Sequence, residues 1–222
     1  MIFWILSVTV SIALLVWTAA EKAGDPNKAT DMAYAHMFIA AAACICFALV
    51  AIRSTRQLVI ANASRPAISA SSARYMGYVW VWGALGLLIS YGLGIVHWHE
   101  WLHFFLGFAA AGAAALFFAN LLQRDADAGK TDEAILKISR YLAYIQFFGM
   151  LAIMIGLIID GKMTRFLVPR HGDWAANNIF FFGSMALAAI SAYALKVSAG
   201  QGDKPNEPNE TSAPGEADTN ES

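Results

Sequence analysis

The stretch VHWHEWLHFF (Val96 to Phe105) places three of the chain's five histidines within seven residues. Five of these residues, His99-Glu100-Trp101-Leu102-His103, spell HExxH. On a helix, positions four apart stack on one face, so two imidazoles at this spacing can hold one zinc ion while the neighbouring glutamate acts on a metal-bound water. A helix beginning near Trp98 would put the motif in its first turns. The N-terminal end of a helix dipole disfavours imidazolium and favours carboxylate, which suits ligation. A further ligand is then required. Asp160, in LIIDGKM, is the best candidate, and His36 is a second. Imidazole suits zinc, copper and haem iron alike, so spacing alone does not choose the metal.

The elements that must position these residues are set by the solvent they were selected for. Of 222 residues, 58% are hydrophobic and 14% charged, against about 25% charged in a soluble domain. Uncharged apolar runs of about 20 residues match a hydrocarbon core of about 30 Å at 1.5 Å per residue. Six such runs are expected to be transmembrane spans: 2–20, 32–52, 75–97, 101–122, 141–159 and 174–195. Backbone groups in lipid must satisfy one another, so these spans are helices. The expected fold is an all-α polytopic membrane bundle over residues 1–200. The first span reads as a retained anchor, because it lacks the basic leader of a secretory signal. The tail 201–222 carries one Lys against six Asp/Glu and no apolar residue larger than Ala, a composition expected to be disordered.

Basic residues in short loops mark the cytoplasmic side. The connector from Arg53 to Arg74 carries Arg53, Arg56, Arg65 and Arg74, that from Gln123 to Arg140 carries Arg124, Lys130, Lys137 and Arg140, and Lys196 follows the last span. The other side receives Lys22, Lys28, Lys162, Arg165 and Arg170, a bias of nine against five. This places both termini in the cytoplasm of a cell with an inner membrane. All five histidines fall on the outer face, with Asp31, Glu100, Asp160 and Asp173.

The HExxH followed by the Asp160-Gly161 pair resembles the site-2 family of intramembrane zinc proteases, whose ligands are two His and a distant Asp. The resemblance implies His99, His103 and Asp160 as zinc ligands and Glu100 as the catalytic residue. It extends over about ten residues in two pieces, and Met154 to Ile159 stand where that family has Asn and Pro ahead of its Leu-Asp-Gly. The same residues also read as a copper, zinc or haem site without hydrolysis, His36 facing His99 or His103 across the bundle. Interfacial His and Trp also anchor helix hairpins in the headgroup region with no ligand at all.

Other chemistries lack their residues. There is no phosphate-binding glycine loop, no G-x-S-x-G elbow and no basic run interleaved with aromatics, so nucleic acid is not an expected partner. Asn177, Asn178 and Gln146 are too few polar groups to outline a transport pathway, which leaves a small channel or carrier as an alternative. Cys44 and Cys46 point about 200° apart on a helix and are expected to be two small buried hydrophobes. Gly83, Gly86, Gly92 and Gly94, facing Gly107 and Ala111, predict close packing of the third and fourth spans. Taken together, the residues predict a multi-pass inner-membrane accessory or assembly component, partnered by lipid and other membrane subunits.

Overall fold

The computed structural model describes residues 26–92, 98–159 and 174–202 and the isolated position 13, with side chains described over 38–92, 102–152, 155 and 181–200. These residues form five helices: α1 (Pro26–Ile60), α2 (Arg65–Gly92), α3 (Trp98–Asp127), α4 (Glu133–Ile159) and α5 (Trp174–Gly202). No strand occurs among the described residues. The expected first span and the tail beyond 202 lie outside them.

The turns are written in local chemistry. Asn62 takes the left-handed conformation (φ 51°) that closes α1, with Ala63 N donating to Leu58 O at 2.9 Å; asparagine tolerates that conformation better than most residues. Gly129 (φ 63°) closes α3 in the same way. Asp132 caps α4, its Oδ1 accepting from Ala134 N at 2.9 Å and Ile135 N at 3.3 Å, two of the donors that a helix start leaves unpaired.

These caps put the helix ends well outside the apolar runs. The region Arg53 to Arg74, expected as a connector, is helical except for the four residues 61–64. A lipid boundary ends a hydrophobic run, but only a capping or turn residue ends a helix. Arg53, Arg56, Arg65 and Arg74 therefore all lie on helices, not in a loop.

The helices alternate in direction. Arg65 Nη1 meets Glu133 Oε1 at 2.9 Å, joining the start of α2 to the start of α4. Arg140 Nη2 donates to Ser198 O at 3.5 Å, joining α4 to the last turns of α5. The two basic turns and the end of α5 are thus gathered at one end of the bundle. The Arg65–Glu133 pair is exposed (39% and 66%), so Arg65→Ala should cost less than about 1 kcal/mol in a detergent melt, and the difference should fade in high salt.

α2 is the hub. It packs most extensively on α3 and also on α5 and α1. The main core joins Phe47 and Ala51 of α1, Met76 and Trp82 of α2, and Leu187 and Ile190 of α5. Buried hydroxyls stitch it: Thr55 Oγ1 donates to Ala51 O at 3.0 Å and lies 3.3 Å from Ser71 Oγ. Ser191 Oγ lies 3.2 Å from Met76 Sδ and 3.5 Å from Gln146 Oε1. Gln146 thus joins α4 to α5 in the packing.

The α2–α3 contact was legible in the small residues, and Gly83 carries it as expected, joined by Gly77 and Gly112, which were not among the expected residues. A Cβ at Gly77 would lie 2.8 Å from Leu116, one at Gly83 2.8 Å from Phe108, and one at Gly112 2.9 Å from Val81. Gly107, by contrast, faces open space. The cysteines also differ from expectation: Cys44 is buried, whereas Cys46 is exposed, because two residues along a helix turn a side chain to the opposite face.

Among the described residues, three helices are long and apolar enough to cross a membrane, over Phe38–Ile60, Leu102–Asp127 and Phe181–Gly200. α2 forms where the third span was expected, but its Trp, Tyr, Gly and Ser residues dilute its hydropathy. The apolar half of α4 runs on to Ile159, past its described side chains. Large apolar side chains stand outward around the bundle: Leu49 is 60% exposed, Phe117 61% and Ile145 68%. In water such a surface would aggregate; in lipid it is the solvent-matched face.

Candidate functional site

The HExxH lies at the start of α3, which begins at Trp98 as the motif requires. His99 and His103 are thus one turn apart on one helix. Of the motif's histidines, the side chain of His103 is described. It is exposed, and its ring centroid lies 4.2 Å from that of Phe104. Glu100 lies in the first turn, next to the unpaired amides of the helix start.

The height of His36 follows from the packing. It lies 19 residues before Thr55 on α1, and Thr55 meets Ser71 of α2. On α3, His103 lies 13 residues before Leu116, which packs on Gly77, itself six residues beyond Ser71. Both histidines therefore stand about 28 Å from the Thr55–Ser71 level, at the end opposite the basic turns. They are at one height, on helices that both pack on α2 and have no extensive contact with each other among the described residues. The structure brings His99 and His103 onto one helix face by spacing, and brings His36 to their end of the bundle on a helix that has no extensive contact with theirs among the described residues.

α2 contributes a further polar atom at that height. Ser90, also 19 residues from Ser71, is fully buried, and its Oγ has no hydrogen-bond partner. A buried hydroxyl without a partner is uncommon. Sequence reasoning passed over Ser90 because a lone serine in an apolar run carries no spacing signal. Asp160, proposed as third ligand, and His97 and His171 lie outside the described residues. Among the described side chains, no three of His, Cys, Asp or Glu converge on a common point.

The face of α3 below His103 is the more informative feature. Leu106, Gly107, Ala110, Ala114 and Phe117 are all exposed and follow each other at helical spacing. By side-chain size this pattern, two large residues framing three small ones, makes a low strip along the helix where another helix could approach closely. It points away from α2, whose contacts use Gly112 and Leu116 on the other side.

Comparison with known proteins yields no match: no family model fits the chain, and no curated protein and no solved structure is similar to it.

Proposed function

We propose that this chain is a multi-pass inner-membrane protein that acts as an accessory or assembly component of a larger membrane complex, docking a helix of another subunit on the outer face of α3. The observation that carries this reading is the exposed small-residue strip at Gly107, Ala110 and Ala114. Lipid tails are as apolar as leucine, so helices associate in a bilayer mainly where small residues allow backbones to approach closely. This chain uses such residues at Gly77, Gly83 and Gly112 to seat α3 on α2. A second set on the opposite side of α3 has no partner helix among the described residues.

His103 ends that strip, and with His99 one turn earlier it forms the candidate site for zinc, copper or haem iron, His36 lying at the same height. A docked subunit would complete the ligand shell that no three described side chains supply. The Lys/Arg bias of nine against five in the sequence is the ground for taking the basic turns as the cytoplasmic side, with both termini in the cytoplasm and the histidines at the outer boundary.

Gly107→Leu is the discriminating variant. Its side chain enters open space within the chain, so the purified protein should melt as wild type while larger partners are lost from mild-detergent preparations. A wild-type protein that purifies as a single monodisperse species would sink the proposal. For the metal, His103→Ala should remove stoichiometric zinc or copper, or a Soret band, from the complex. Equal metal content in wild type and variant would exclude His103 as a ligand.

A further inference from the structure

A second feature lies at the opposite end of the bundle. α1 and α2 are joined by only four residues and touch at Thr55–Ser71 and Phe47–Tyr75 (ring centroids 5.6 Å), yet beside these contacts they part to leave a cleft of about 720 Å³. Such a volume is within the roughly 300–1,000 Å³ of ligand sites. Along α1 the cleft runs from Ala43 to Leu58, about 22 Å of helix. Half of a bilayer including its headgroups is about 20–22 Å. The cleft therefore has the length of one leaflet.

Its chemistry is graded along that length. Ala43, Phe47, Val50 and Tyr78 line the inner part, and Ser54, Gln57 and Gln123 line the part nearest the basic turns. Arg74 is the one charged residue in the lining. It is half-buried, nine residues or about 13 Å in from the start of α2, and makes no hydrogen bond or ion pair among the described residues. A guanidinium at that depth is costly without a counter-charge, and no carboxylate is among the residues lining the cleft.

We infer that this cleft holds one anionic phospholipid from the leaflet at the basic end of the bundle, its phosphate on Arg74 and one acyl chain along Phe47 and Val50. The arginine fork matches a phosphate with two parallel hydrogen bonds. Gln57 and Ser54 add neutral donors beside it. Basic pockets between membrane helices recognise lipid headgroups through this combination. The inference requires that the helices lie in a bilayer and is independent of the partner proposed for α3.

Native mass spectrometry of the full chain, released from nanodiscs of equal phosphatidylcholine and phosphatidylglycerol, tests it. Wild type should retain one phosphatidylglycerol in preference to phosphatidylcholine. Arg74→Gln should lower that preference about fivefold, and Val50→Trp, which fills the apolar part, should remove the retained lipid of both kinds. Arg56→Gln, at the same end but outside the cleft, should change nothing. A folded Arg74→Gln protein with wild-type preference overturns the inference, as does an equal loss in Arg56→Gln, which would mean a diffuse field. Lipid retained in Val50→Trp overturns it even if Arg74→Gln fails to fold. Displacement of the phosphatidylglycerol by excess inorganic phosphate would show a free-anion site, not a lipid site, and would also overturn it.

Discussion

Gly112→Leu should prevent α3 from seating on α2, with a loss of about 3 kcal/mol or more in a detergent melt, the upper range for overpacking a tight contact. A Cβ at position 112 already lies 2.9 Å from Val81 Cγ2, 3.2 Å from Val81 N and 3.3 Å from Trp80 Cβ. The backbone nitrogen is the decisive neighbour. It cannot rotate away, so the helices must separate, and with them the most extensive contact in the bundle. Gly77→Ala should be milder because it adds a single methyl, though that Cβ meets Leu116 Cγ and Cδ2 at 2.8 Å and Leu116 N at 3.3 Å and so should still destabilise. Gly107→Leu supplies the control in the same helix, with nothing within 4 Å of its Cβ. If Gly112→Leu and Gly107→Leu melt together, the assignment of inner and outer faces to α3 is wrong.

Leu187→Ala should cost about 2–3 kcal/mol. Leu187 is 2% exposed, in the cluster where α5 meets α1 and α2. The range for such truncations is about 2–5 kcal/mol, of which part is transfer from water and part the cavity left behind. When the surroundings are lipid the transfer part shrinks, since the unpacked side chain meets hydrocarbon either way. The lost packing contacts remain, which places the expectation in the lower half. Phe117→Ala, at 61% exposure, deletes a larger side chain but opens no cavity and should change the melting free energy by less than about 0.5 kcal/mol. Equal costs at the two positions would mean that exposure does not track packing in this bundle.

The two histidine-bearing helices show how far the candidate site was readable. HExxH requires a helix beginning by about Trp98, and α3 begins there. That follows from local spacing and needs no tertiary information. The height shared by His36, Ser90 and His103 depends on which residues of α1, α2 and α3 pack together, and nothing in the apolar runs encodes that register. Arg74 illustrates the same limit at the other end. Its sequence context marks a basic residue near a span boundary, whereas its place in a cleft exists only because α1 and α2 part beside Phe47.

The amino-acid order alone determined that the chain is helical and apolar, roughly where its described helices run and which segments collect the basic residues, because span length and charge are properties of contiguous residues. Only the tertiary structure decided which side of each helix is covered. In a water-soluble bundle the polar face would have announced it. Here lipid makes both faces apolar, so hydrophobic periodicity loses its contrast, and Gly107 and Gly112, or Cys44 and Cys46, look alike until a neighbouring helix packs against one and leaves the other exposed.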